Sequence, residues 1–378
     1  MAVAGAPSVE HELRLSHRGY VLFAFALPLV AAAVLEAGVA LLSDVWDRAR
    51  LVVLGQATLA LSLAFTAWTS SPWGLTLGLA LAGATSGVAC SAAQAILVAG
   101  AEGDADRTLV RWSIFGSVGD VLTPLVTAAA IALGHSYRGA MAAVAVFVAI
   151  QCVLSARLVR RAKPEGEPSS AETPDADDPP EVPLRVALRR ALRMPRLWTW
   201  LLAAASCTLL DELVLALSAL RLQGDRGASA ALAAAVAVCF SLGTVAGDAL
   251  ADRVVERVSP RRVLVVSAVL CGLAVGALVA VGGTAATCVV LFAAGVACAP
   301  HHPLAMARAY AELPDHPGTV QAVGQVFVVV EVGAPVVLGL VADRFGLGPA
   351  LACLAVQPLV ILVCALALRS PPKHEPPG

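Results

Sequence analysis

Seven side chains that can bind protons or hydrogen-bond a ligand lie within long apolar stretches of this chain. A carboxylate in the middle of a membrane is costly, and it persists there only when it is paired, protonated or facing water. Imidazole titrates near neutral pH, so a histidine in such a stretch can also carry a proton. The seven residues are Gln94, Asp120, Asp211, Glu212, His301, His302 and Glu331. This pattern indicates a polar pathway through apolar surroundings.

Two of the acids occupy equivalent positions when the halves of the chain are aligned at Thr108 and Thr319. Asp120 and Glu331 then coincide, and each is followed four residues later by a proline, Pro124 or Pro335. A proline inside a membrane helix frees a backbone carbonyl and can bend the helix. We expect at least one of the two acids to bind a proton. The alternative is a structural carboxyl group that is hydrogen-bonded between helices.

Asp211 and Glu212 are adjacent in the sequence, at the middle of another apolar stretch. Neighbouring residues on a helix point about 100° apart, so at most one of the two can face a central pathway directly. The sequence does not show which one does. The pair is a candidate site for a cation or a proton.

His301 and His302 lie together near the end of a later stretch, and the repeat places Gln94 opposite His302. Two adjacent histidines rarely form a metal site by themselves. Proton binding or hydrogen bonding to a substrate is therefore the interpretation we favour. Neither a metal nor a cofactor is expected.

The composition places these residues in a membrane protein. Of the 378 residues 58% are hydrophobic and 14% are charged, and the mean hydropathy is +0.81, which is more apolar surface than a soluble core can bury. A span needs about 20 apolar residues. Eleven segments meet this length, near 19–43, 51–71, 73–100, 108–134, 137–159, 197–221, 228–251, 262–282, 285–310, 319–341 and 347–368. We therefore predict an all-α membrane protein with 11 visible helices.

The chain is an internal duplication. Gly87-Val88-Ala89-Cys90 recurs at 295–298, and Leu13-Arg14-Leu15 recurs at 220–222. Duplicated halves are typical of transporters. The repeat predicts a five-helix bundle over 19–160 and a six-helix bundle over 197–369, related by a pseudo-twofold axis, with polar tails at 1–18 and 370–378.

The distribution of Lys and Arg among the loops predicts which side of the membrane each loop faces. Lys and Arg concentrate in alternate loops if the connection 161–196 is cytoplasmic, which also places the C-terminus in the cytoplasm. Residues 163–183 are rich in Pro, Glu, Asp and Ser and read as a flexible linker. In 184–195, Arg185, Arg189 and Arg193 share one helical face, which favours an amphipathic helix on the anionic inner leaflet. Basic residues that merely hold the orientation are the alternative.

One segment carries a family resemblance. Gly247-Asp248-Ala249-Leu250-Ala251-Asp252-Arg253, followed by Pro260-Arg261-Arg262, resembles the loop between the second and third helices of each half in the major facilitator superfamily, and residues 42–50 are a shorter, degenerate copy. The resemblance implies two rocking helical bundles, with a first helix missing from the usual twelve. It also implies that Asp44 faces the helix start at Thr319 and that Asp252 faces the one at Thr108. The conformational latch would consist of Asp44, Arg48, Asp248, Asp252, Arg253 and Arg262.

These observations favour one class of function. We expect a secondary transporter of a small molecule that works by alternating access, with proton-coupled efflux as the main hypothesis. Gly116 and Gly119 faintly resemble an exporter signature, whereas Ser91 and Ala95 depart from the coupling motif of many proton-coupled exporters. An uncoupled or uptake carrier for a polar metabolite, or an inactive truncated fragment, is the alternative.

An enzyme is not expected, because no nucleophile or acid-base cluster has a recognisable spacing. The expected partners are protons, the substrate and the lipid bilayer of the plasma membrane, without nucleic acid, and the protein is expected to be a monomer.

Overall fold

Helices form every regular element of the computed structural model, which describes residues 9, 12–16, 19–20, 22–101, 104–132, 137–162 and 183–367. The predicted linker over 163–183, apart from its last residue, and the predicted tail 370–378 lie outside the described residues, as does most of the tail 1–18. Each predicted apolar segment overlaps one of the helices. Within the described ranges, nine helical stretches are long and apolar enough to cross a bilayer.

The helices that precede the linker begin after a π-helical turn at Leu22–Ala26. They are α1 (Leu27–Leu42), α2 (Arg48–Trp68), α3 (Pro72–Ala99), α4 (Ala105–Ala132) and α5 (Tyr137–Ala162). Asp47 starts α2 as its N-cap, because its carboxylate accepts hydrogen bonds from the amides of Ala49 and Arg50.

Several of the later helices are short because the predicted spans that contain them are interrupted. They are α6 (Leu184–Leu192), α7 (Pro195–Ser206), α8 (Val214–Arg226), α9 (Ala230–Val255), α10 (Pro260–Ala280), α11 (Thr284–Cys298), α12 (His301–Glu312), α13 (Pro317–Gly324), α14 (Val328–Phe345), α15 (Leu347–Cys353) and α16 (Val356–Ala367). A π-helical turn at Leu209–Leu213 joins α7 to α8, and a 3₁₀ turn at Gln325–Phe327 joins α13 to α14.

The span predicted over 285–310 as one helix breaks between α11 and α12. Ala299 and Pro300 form a turn at the break. Proline lacks an N–H group and its ring clashes with the preceding helical turn. The hydrogen-bonded helix α11 therefore ends at Cys298, and helix α12 begins at His301. The carbonyl of Pro300 then accepts the amide of Leu304. The two histidines therefore begin a helix instead of lying within one.

The chain divides into two compact units, and each unit combines residues from both sequence halves. The first unit holds Met1–Ile96, Pro124–Met194 and Leu313–Val326, and the second holds Leu97–Thr123, Pro195–Glu312 and Phe327–Gly378. In the first unit α2 packs on α5, while α13 packs on both α1 and α6. In the second unit α9 packs on α11, and α10 packs on α11 and α16.

The contact between α9 and α11 depends on glycine. A Cβ atom at Gly243 would overlap the backbone oxygen of Phe292, and one at Gly295 would overlap the backbone oxygen of Phe240. Small residues of this kind allow membrane helices to approach closely. Away from such contacts large apolar side chains are exposed, among them Trp68 at 86% and Phe115 at 78%, as expected of surfaces that face lipid.

Candidate functional site

The carboxylate of Asp44, just after α1, holds the start of α13. It accepts hydrogen bonds from the amides of Gly318 at 2.7 Å and Thr319 at 2.8 Å, and from the hydroxyl of Thr319 at 2.6 Å. The side chain of Asp44 is only 1% exposed. A helix start presents unpaired amides and a partial positive charge, so a carboxylate there is stabilised. This is the helix start that the resemblance assigned to Asp44.

Neighbouring side chains reinforce the contact between α1 and α13. The backbone oxygen of Ala40 lies where a Cβ atom at residue 318 would stand, so only glycine allows this approach. One helical turn further along α13, the amide of Gln321 donates to Glu36 on α1 at 3.1 Å. His316 Nδ1 lies 3.8 Å from the Asp44 carboxylate. The latch residue Arg48 donates locally, to the backbone oxygen of Ser43 at 3.4 Å.

The second copy of the motif makes a different contact, inside the second unit. Asp252, beyond the end of the predicted span 228–251, accepts hydrogen bonds from Arg107 and from Arg111, each at 2.8 Å. These arginines flank Thr108, so Asp252 faces the helix start that the resemblance assigned to it, with arginine side chains as the donors. Arg107 also pairs with Glu256. Burial raises the pKa of Asp252, and the hydrogen bonds from the two arginines outweigh it, so the pKa lies below its ordinary value.

The other predicted members of the latch divide into buried and exposed residues. Asp248 is 1% exposed and accepts a 2.6 Å hydrogen bond from Ser117 on α4. Arg253 is exposed and donates to the backbone oxygen of Ala249 in its own helix. Arg262 is exposed and lines a groove at the start of α10. Asp248 and Asp252 are therefore the two members that join α9 to the first part of α4.

A further ion pair was not found from the sequence. Arg308 on α12 donates to the carboxylate of Asp106 at the start of α4 at 2.6 Å. Both residues lie near segment ends, where charged side chains are common, and no motif links them. The two residues are 202 positions apart, so nothing in the sequence indicates that they pair.

The π-helical turn carries the two adjacent acids. Asp211 and Glu212 lie within Leu209–Leu213, and both are exposed. A π-turn inserts one residue into a helix and often marks a functional position. It also changes the direction of the side chains that follow the turn relative to those that precede it.

Four carboxyl groups of the predicted pathway, those of Asp120, Asp211, Glu212 and Glu331, lie in the second unit. Asp248, which is buried on α9, lies in the same unit. A carboxyl group in a membrane helix persists when it is paired, protonated or facing water, so each of the four can bind a proton.

Gln357 connects the π-turn to His301. The Gln357 side-chain oxygen accepts the amide of Leu210 at 2.9 Å, and its nitrogen lies 3.4 Å from His301 Nδ1. Gln357 and His301 are both fully buried. Gln357 was not among the residues predicted from the sequence, although a lone amide side chain in the apolar run of α16 was the available signal. His302, by contrast, is exposed.

The remaining predicted residue lies in the other unit. Gln94 is half-buried on α3, and its predicted equivalence to His302 stays a prediction. Across the part of the chain that the structure describes, no three His, Cys, Asp or Glu side chains converge in a way that could hold a metal ion.

Comparison with known proteins finds a family and a fold. The family model of the Major Facilitator Superfamily matches residues 1–216 and, a second time, residues 207–378. A crystal structure of the E. coli fucose:proton symporter FucP superposes with a TM-score of 0.74 and 15% identity, covering 97% of this chain and 94% of that one. FucP in the outward conformation superposes with a TM-score of 0.66 and 17% identity, covering 96% and 89%. No curated protein sequence matches the chain.

Proposed function

The chain belongs to the Major Facilitator Superfamily and is a multi-pass membrane transporter of that type, and from this premise we propose that it exports a small molecule in exchange for protons. The observation that carries the proton coupling is that four carboxyl groups of the predicted pathway, those of Asp120, Asp211, Glu212 and Glu331, lie in one compact unit, three of them on or beside interruptions of helices. A carboxyl group in a membrane helix persists when it is paired, protonated or facing water, and its affinity for a proton changes when its surroundings change. Alternating access supplies such a change.

The helix interruptions support alternating access at the same place. Asp211 and Glu212 lie on a π-turn, His301 begins a helix after a break, and Glu331 lies in the first turn after a 3₁₀ segment. Irregular backbone at membrane depth is tolerated where it lines a cavity or is buried in protein. We assign the substrate pathway of the second unit to these residues together with Asp120 and His302, and Gln94 stays a predicted pathway residue of the first unit.

The latch has a separate role in this proposal. Asp44 and Asp252 each join residues from the two sequence halves, through α13 and through the first part of α4 respectively. These contacts close the side of the protein that the charge pattern makes cytoplasmic, and they must break when that side opens. The C-terminus lies on the same side, and the protein works as a monomer in the plasma membrane.

Uptake by symport is the second candidate. It is favoured by one observation, namely that the similar solved structure is named a fucose:proton symporter. Export rests on the glycines of α4, Gly116 and Gly119. These two glycines faintly resemble the glycine-rich signature of exporters.

The experiment that tests coupling is a flux assay in proteoliposomes with an imposed pH gradient and an internal pH dye, screened against a small-molecule library. A substrate that moves toward the acidic side identifies antiport, and one that moves away from it identifies symport, whichever way the protein is inserted. Asp120→Asn and Glu331→Gln should each abolish the pH-driven flux. The exposed loop variant Asp315→Asn is the matched control and should retain it. Unchanged pH-driven flux in both pathway variants would contradict the proposal.

A further inference from the structure

The helix α6 has two opposite faces with different partners. Ala187 and Ala191 are fully buried, whereas Arg185, Arg189 and Arg193 are exposed. Ala187 follows Arg185 by two positions, which turns a side chain about 200° around a helix, so the alanines and the arginines point in opposite directions. One face is therefore docked on protein while the other presents a row of positive charge.

α6 packs on α13 within the first unit, and α13 is the helix whose start is held by Asp44. Ala187 and Ala191 are fully buried, so the face that they form is the one that a packed helix can cover. The position of α6 is thereby linked to the geometry at Gly318 and Thr319.

The charged face fits a lipid surface better than a soluble partner. Apolar side chains flank the arginines, since Val186 is 53% exposed and Leu192 is 52% exposed. Exposed apolar groups beside basic ones are typical of helices that lie at the membrane interface, where anionic headgroups meet the arginines and the apolar groups enter the acyl region. In sequence, the predicted span 197–221 begins five residues after α6 ends.

We propose that α6 binds anionic phospholipid headgroups and that this binding stabilises the contact between Asp44 and the start of α13. The proposal rests on the latch described under the proposed function. Headgroups that hold the arginines fix α6 at the membrane surface, and α6 holds α13 through Ala187 and Ala191. The charge of the surrounding leaflet thereby adjusts how readily the latch opens.

The test measures hydrogen exchange at the amides of Gly318 and Thr319, in the intact protein and without any substrate. The protein is placed in nanodiscs of phosphatidylcholine alone or with phosphatidylglycerol added. Phosphatidylglycerol should slow exchange at these amides by about fivefold, the effect expected from the attraction of about one arginine to an anionic surface. Because no transport is measured, the result is independent of whether the protein carries protons.

Three variants separate the steps. Arg185→Gln combined with Arg189→Gln and Arg193→Gln should remove the response, whereas the same three-charge change at Arg157, Arg160 and Arg161 near the end of α5 should leave it intact. Ala187→Leu with Ala191→Leu keeps the arginines but wedges α6 away from α13. It should still bind phosphatidylglycerol, as measured by native mass spectrometry, yet show no change in exchange.

Each possible result either overturns or supports the proposal. Equal exchange in the two lipids, or a response that survives in the α6 arginine variant, overturns the proposal. So does a response that the α5 variant also loses, because the effect would then reflect total charge and not the α6 surface. A response that depends on both the α6 arginines and the small alanines supports it.

Discussion

The hydroxyl of Thr319 donates a 2.6 Å hydrogen bond to the carboxylate of Asp44, although the two residues are 275 positions apart in the sequence. With the amides of Gly318 and Thr319, this bond gives Asp44 three donors at one helix start. The contact joins residues from the first and the second half of a duplicated chain. These hydrogen bonds therefore oppose any conformational change that separates Asp44 from the start of α13.

Asp44→Asn should loosen the start of α13. The amide side chain keeps an acceptor but loses the negative charge that the helix start stabilises, and hydrogen bonds to charged groups contribute about 1.5–3 kcal/mol. Hydrogen exchange at Gly318 and Thr319 should accelerate by about tenfold or more. Asp47→Asn, which alters a carboxylate that caps only its own helix, is the control. Equal exchange in the two variants would show that Asp44 does not hold α13.

Asp252 should stay ionised throughout the physiological pH range. Burial opposes its ionisation, but the hydrogen bonds from Arg107 and Arg111 lower its pKa below the ordinary value of about 4. A lowered carboxyl pKa stabilises the folded state at pH values above the ordinary pKa, and this stabilisation is lost as the pH falls through the native pKa.

Asp252→Asn should therefore lower the unfolding temperature by a constant amount between about pH 5 and pH 8. Thermal unfolding in detergent across this range measures the difference, and Glu256→Gln, which removes the other carboxylate that pairs with Arg107, is the comparison. A difference that grows or vanishes near neutral pH would mean that Asp252 titrates there, which would make it part of the proton pathway.

Gln357→Leu should destabilise the second unit. The variant removes the side chain that contacts both the amide of Leu210 and the buried ring of His301, and each hydrogen bond of this kind contributes about 0.5–1.5 kcal/mol. The amide of Leu210 keeps its second acceptor, the backbone oxygen of Cys207. Gln151→Leu removes an exposed amide from α5 and should have little effect. Unfolding temperatures that fall equally in both variants, or in neither, would contradict a bridging role for Gln357.

Gly243→Ala should separate α9 from α11 or strain their packing, because the added methyl group overlaps the backbone oxygen of Phe292. Overpacking of this kind costs about 1–3 kcal/mol. Gly276→Ala is the matched control, since nothing lies within 4 Å of a Cβ atom there. Thermal unfolding should show a lower midpoint only for Gly243→Ala, and a drop of the same size in the control would indicate that the close approach is unimportant.

Apolar length and the recurring motif were enough to predict the family and the approximate extent of the helices. The position of Asp44 at the start of α13 followed from the motif, because a family loop specifies which helix start its aspartate meets. The partners of Asp252 did not follow, since a carboxylate near a helix start can bond amides or arginine side chains, and the local side-chain geometry decides between them.

The interruptions of the helices leave little trace in apolar length and periodicity. The π-turn at Leu209–Leu213 lies in an apolar run whose periodicity does not change visibly, and one inserted residue does not alter the composition. Pro300 and Pro303 did signal the break before His301, but proline is common in membrane helices and often only bends them. Gln357 was missed because its two partners, Leu210 and His301, are distant in sequence.

The close approach of α9 and α11 has a mechanical consequence. A Cβ atom at Gly243 or Gly295 would overlap a backbone oxygen of the facing helix, so the two backbones are in direct contact and are expected to move as one rigid element. Under the proposed alternating access, changes of backbone conformation are then expected where the helices are already irregular, beside Asp211, His301 and Glu331.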